Sequence, residues 1–175
     1  TISDEARGVE LGVRPSFALA DGKKTEDTRI VYPFRDHNGW LVYTAQSTGL
    51  KEDIILDNAS GGDTQTFDYQ LKLPSGTEAR AEKDGSIGVY GNSLLMNNIT
   101  ASSESDTALL EKAQANAKKD YLLFSIPRPV IVEARPSKTP IKSRFQLHGT
   151  TLSVVTSDNA KANYPLSIDP SIYVV

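Results

Sequence analysis

Cysteine is absent from this 175-residue chain, and methionine and tryptophan occur once each. Without cysteine there is no disulfide framework, no thiolate metal site and no cysteine nucleophile. Long apolar runs are missing as well. Nothing approaches the roughly 20 consecutive apolar residues that a membrane-spanning helix needs, so no membrane insertion is expected. An excess of positive charge is lacking too. Nineteen Lys+Arg stand against 22 Asp+Glu, for a formal net charge of -3. That balance lacks the electrostatic footprint of a nucleic-acid binder, and no nucleic-acid partner is expected. What is present, 38% apolar residues in a chain of ordinary domain length, suffices for one buried core.

Strand signals recur at short spacing from Arg29 onward. Ile30–Phe34, Trp40–Ala45 and Leu50–Leu56 read as a meander, separated by His37-Asn38-Gly39 and Thr48-Gly49 turns. The cleanest pattern is Phe67, Tyr69, Leu71 and Leu73 alternating with Asp68, Gln70 and Lys72. This is the period-two mark of a half-buried antiparallel strand, with Tyr69 on its core face. Asp84-Gly85 and Gly149-Thr150 each divide two short strand patterns and predict hairpins. Ser105–Lys119 breaks the rhythm: it holds six alanines and leucines with no glycine or proline, and Ser105 or Asp106 can cap it. It reads as an inserted surface helix. The expected fold is therefore mostly β, an antiparallel β-sandwich with one inserted helix at about 105–119. Residues 1–27 read as an N-terminal arm or edge strands, and 28–175 as the sandwich.

Candidate chemistry is sparse. His37 sits in a turn between Asp36 and Asn38, and His148 ends a strand before Gly149. Neither has a visible partner at metal-ligand or triad spacing, and no nucleophile elbow exists. Asp57, Asn58 and Asp63 share one loop and are weak calcium candidates; Ala59 and Gly61 occupy positions where an EF-hand loop needs oxygen. No other cofactor is expected. From Arg128 to Arg144 the basic residues Arg128, Arg135, Lys138, Lys142 and Arg144 face only Glu133. This asymmetry, with Trp40, forms the weak candidate binding set: Trp40, Arg135, Lys138, Lys142 and Arg144. Asn58-Ala59-Ser60 and Asn98-Ile99-Thr100 match the glycosylation pattern. A Lys–Asn or Lys–Asp crosslink would need a buried lysine; alternation puts Lys72 on the polar face, while Lys51 and Lys83 have no assigned face.

The order of motifs in the second half resembles a known series. Asp84-Gly85-Ser86-Ile87 leads to Leu123-Phe124-Ser125-Ile126-Pro127-Arg128-Pro129-Val130, then to Leu152-Ser153-Val154-Val155 and Tyr164-Pro165-Leu166-Ser167-Ile168-Asp169-Pro170. Upstream stand Ile30-Val31-Tyr32-Pro33 and Gly49-Leu50-Lys51-Glu52-Asp53-Ile54-Ile55-Leu56. Over residues 28 to 172 the series is similar to the β-rich domain ahead of the repeats in large secreted bacterial proteins of the YD-repeat, Rhs and wall-associated type. The resemblance implies a non-enzymatic structural or adhesion module, secreted or at the cell surface and cut from a larger chain. Its partner would be a protein or glycan. Two alternatives stand beside it, a carbohydrate-binding module using exposed aromatics such as Trp40, Tyr43 and Tyr90, and a hydrolase using a histidine.

Overall fold

The computed structural model describes residues 1–36, 38–59, 62–92 and 100–175. Local turn chemistry accounts for much of the strand layout. Strands β4 (Arg29–Pro33), β5 (Gly39–Gln46) and β6 (Gly49–Leu56) form the predicted meander. β8 (Glu78–Ala81) and β9 (Ile87–Gly91) pair across a turn in which Gly85 adopts φ 87°, a conformation that favours glycine. β12 (Lys142–His148) and β13 (Thr151–Ser157) pair across Gly149, at φ 61°.

The strands are arranged as two antiparallel sheets enclosing one core. The smaller sheet contains β1 (Ile2–Asp4), β2 (Val9–Pro15) and β7 (Gln65–Lys72), followed by β13 and β12, in that order. The N-terminal segment thus supplies an edge strand and an inner one, and Ile2, Val9 and Leu11 are core residues. The larger sheet runs from β3 (Lys23–Glu26) through β4, β5 and β6 to β15 (Ile172–Val174), β10 (Tyr121–Ile126), β9 and β8. It forks at β6. The first residues of β6, Gly49 and Leu50, pair with β15, while Ile54–Leu56 pair with β14 (Leu166–Asp169), which carries β11 (Val130–Glu133) outside it. Pro170 and Ser171 turn the chain from one branch to the other, and the Glu52 N–H donates to Ser171 Oγ at 3.2 Å.

Between the sheets, Phe67, Tyr69, Leu71, Leu152 and Val154 meet Leu41, Ile54, Phe124, Ile126 and Ile168. Phe17, from the segment between β2 and β3, stacks into this core with its ring 5.5 Å from Phe34, 5.6 Å from Phe67 and 5.3 Å from Tyr69. The inserted helix α1 covers Glu104–Asn116. Its cap is Ser103, two residues earlier than predicted, with Ser103 Oγ accepting from Asp106 N at 3.2 Å. No residue of α1 is buried, because its apolar positions are too few to make a face. Leu109 is 66% exposed, so Leu109→Ala should change unfolding free energy by less than about 0.5 kcal/mol in denaturant titration.

Candidate functional site

Strand register brings together side chains that are far apart in sequence. On the outer face of the smaller sheet, four strands form one row: His148 opposes Thr151, Thr151 opposes Gln70, and Gln70 opposes Arg14. Lys72, opposite Gly12, lies beyond this row on one side. On the other side lie Gln146–Ser153–Asp68, then Arg144–Val155–Thr66, then Lys142. All four cations on this face, Arg14, Lys72, Lys142 and Arg144, are exposed. Its acids are Asp68, which accepts from Ser153 Oγ at 2.6 Å, and Glu10. Gln70 Nε2 donates to Thr150 Oγ1 at 2.5 Å, which fixes the centre of the face.

The predicted basic set is thereby divided. Lys142 and Arg144 lie on this face, whereas Arg135 and Lys138 are exposed in the loop between β11 and β12. That loop is held by Glu133, whose carboxylate accepts from Ser137 N (3.1 Å), Ser137 Oγ (2.9 Å) and Asn163 N (2.9 Å). The Asn163 N–H, above all, holds Glu133 below the usual glutamate range. Arg14 and Lys72 are the members that sequence reading missed. The alternation of β7 exposes Lys72, but only the β2–β7 register adds Arg14 beside it.

Trp40 lies elsewhere, on the outer face of the larger sheet, 37% exposed. Its row runs Pro33–Trp40–Ile55–Ser167–Val132. Lys51 is on this solvent-facing side, paired with Asp53 and 3.7 Å from Asp169, so it is no buried nucleophile. In the 57–63 loop the Asp63 carboxylate is turned to Ala160 N at 3.1 Å. Among the described residues no group of three or more His, Cys, Asp or Glu could hold a metal ion. His37, Ser60, Gly61 and Asn98-Ile99 lie outside the described residues.

A carboxyl group, that of Glu52, is enclosed between the sheets. Glu52 alternates with Leu50, Ile54 and Leu56 on the inner face of β6 and is buried. Burial raises its carboxyl from the ordinary 4.5 to about 8, against the opposing pull of hydrogen bonding from Tyr69. The Tyr69 hydroxyl donates to Glu52 Oε1. The Tyr43 hydroxyl is buried close enough to the same carboxyl to interact with it electrostatically. Burial pushes both tyrosines upward. Glu52 is thus a protonated core residue at neutral pH, closed off from any substrate.

No family model matches the chain, and no solved structure matches it. Three curated relatives do. The chain is 25% identical over 182 residues to the tRNA nuclease WapA of Bacillus subtilis strain 168, covering 95% of this chain and 6% of that protein. The tRNA3(Ser)-specific nuclease WapA of Bacillus spizizenii gives the same identity and coverage. The tRNA(Glu)-specific nuclease WapA of Bacillus subtilis subsp. natto is 25% identical over 162 residues, 85% of this chain and 6% of its own length. The chain therefore spans a small fraction of the proteins it matches.

These names overturn the reading drawn from the motif series. The relatives are named as tRNA nucleases, which are enzymes acting on a nucleic acid, and not as YD-repeat surface proteins or adhesins. The non-enzymatic structural or adhesion function, its carbohydrate-binding alternative and the exclusion of nucleic acid are corrected accordingly. The exclusion of nucleic acid had rested on a chain average, and a net charge of -3 does not reveal that Arg14, Lys72, Lys142 and Arg144 share one sheet face. Among the described residues no helix is long and apolar enough to cross a membrane.

Proposed function

We propose that this chain is a β-sandwich domain of a tRNA-cleaving protein, and that the outer face of its smaller sheet meets the RNA. The observation that carries the proposal is the alignment of 95% of the chain with proteins named as tRNA nucleases. The sheet face supports it. Arg14, Lys72, Lys142 and Arg144 can neutralise phosphates, while Gln70, Gln146 and His148 between them offer hydrogen bonds to sugar and phosphate oxygens. Asp68 and Glu10 on the same face, and the acidic chain as a whole, make the attraction modest and strongly dependent on salt. A setting outside the cell that makes the protein is part of this proposal; a chain without cysteine has no thiol to oxidise there.

The test is binding of labelled tRNA by fluorescence anisotropy across a salt series. Log affinity should fall linearly with log salt. Lys142→Ala and Arg144→Ala should each weaken binding across all sequences and reduce the slope by about one. Binding absent at low salt, or indifferent to both substitutions, would remove the RNA-facing role.

A further inference from the structure

The cations on the outer face of the smaller sheet fall into two pairs. Arg14 and Lys72 lie on the neighbouring strands β2 and β7, one step apart in register, while Lys142 and Arg144 are successive outward residues of β12. At about 4.8 Å per strand and 3.4 Å per residue, the two pairs stand roughly 20–25 Å apart. Asp68 lies between them, on β7, opposite Ser153 of β13 and on the Arg144 side of Gln70. Glu10, the other acid of the face, lies past Lys72 at the far end instead. A carboxylate at the centre of a phosphate-binding face repels the groups that its neighbours attract. Its position is nonetheless fixed: Ser153, 8% exposed, donates its hydroxyl to Asp68 Oδ1 at 2.6 Å. One such bond leaves an exposed carboxylate with most of its acceptor capacity, and only a hydrogen-bond donor can use it.

We propose that Asp68 accepts a hydrogen bond from a ribose 2′-hydroxyl, and that this contact makes the face select RNA over DNA. The inference rests on the RNA reading above and adds to it a residue that determines specificity. Along a nucleic-acid backbone the phosphate oxygens only accept; the 2′-hydroxyl is the group that donates, and deoxyribose lacks it. A backbone whose phosphates meet both cation pairs carries its intervening sugars across Asp68. The smaller sheet's Phe67, Tyr69 and Phe145 turn into the core, so its outer face has no row of rings on which bases could stack. Sugar and phosphate are therefore the parts of an RNA that this face meets. With RNA the carboxylate gains a charge-assisted hydrogen bond that offsets its repulsion of phosphate; with DNA the repulsion stands alone.

The experiment measures, by fluorescence anisotropy at low salt, binding of the 175-residue protein to a labelled RNA hairpin and to its 2′-deoxy counterpart, with deoxyuridine in place of uridine. The wild-type protein should prefer the RNA. Asp68→Ala should weaken RNA binding and leave DNA binding equal or tighter, because it removes a negative charge. The RNA-to-DNA affinity ratio should thereby fall by about tenfold. Ser153→Ala, which releases the carboxylate from its anchor, should lower the ratio in the same direction, and it serves if Asp68→Ala fails to fold. Equal wild-type affinity for the two hairpins would overturn the proposal. So would an Asp68→Ala variant that binds both more tightly by one factor, since the carboxylate would then be a charge on the face and nothing more. A loss seen with both sugars but only in one base sequence would assign Asp68 to a base edge and overturn it as well. Failure of the RNA face is distinguishable: a protein that binds neither hairpin, or binds them indifferently to Lys142→Ala, removes the face and this contact together. Binding that responds to Lys142→Ala while Asp68→Ala leaves the ratio unmoved removes the 2′-hydroxyl contact alone.

Discussion

Glu52→Gln is expected to stabilise the protein progressively as pH rises from about 4.5 to about 8, and then by a constant amount. In the folded chain burial holds the carboxyl protonated up to about 8, whereas an unfolded chain releases the proton near the ordinary 4.5. Between those values the unfolded state binds fewer protons than the native one, so wild-type stability falls with increasing pH. The full difference between the two values corresponds to up to about 5 kcal/mol. Below about 4.5 both states are protonated and the loss is absent. Glutamine keeps an acceptor for the Tyr69 hydroxyl and has no proton to release. Its amide hydrogens can also reach towards the buried Tyr43 oxygen. Denaturant titrations at pH 5 and pH 8 measure the effect; wild-type and variant curves that stay parallel between them would refute it.

Gly49→Ala should be severely destabilising, by roughly 3 kcal/mol or more. A Cβ at Gly49 would stand 2.1 Å from the Ile172 carbonyl oxygen and 3.0 Å from the Tyr173 Cα. Both are backbone atoms of β15, held in the ladder by the Leu50–Ile172 and Gly49–Tyr173 pairs, so neither can rotate away. The alanine forces β15 off β6, or β6 out of line with β5. Glycine within a strand is here a requirement of close backbone approach. Thermal melting should show the loss, and a shift of less than a few degrees would mean that the two strands separate easily.

Local patterns were the legible part of this fold. The hairpins at Gly85 and Gly149, the meander and the core side of Tyr69 were legible because turn chemistry and alternation act over a few residues. Glu52 was concealed by its neighbours: Lys51-Glu52-Asp53 reads as a solvated charge run. The signal lay in the even positions, where Leu50, Ile54 and Leu56 bracket it on one face. Gln65 likewise begins the Phe67–Tyr69–Leu71 alternation one step earlier than the apolar pattern does. The cationic face was not legible, because it depends on the register of β2 with β7 and of β13 with β12, pairings between distant segments. Strand and turn signals identified a β domain, while motif order did not lead to the activity in the names of its relatives.

The fork at β6 sets a timetable for folding. One edge of β6 pairs with β5, but the other finds its partners only among residues 166 to 173, and Arg7 donates to the carbonyl of Val175. Until residues 166 to 173 have been made, one edge of β6 lacks its native partners and the inner side of the meander has no complete cover. Closure across so long an intervening chain makes folding slow, and it leaves an unpaired, apolar strand edge exposed in the meantime. That interval, in which a long apolar edge waits for its distant partner, is when the chain is most prone to pair wrongly with another strand.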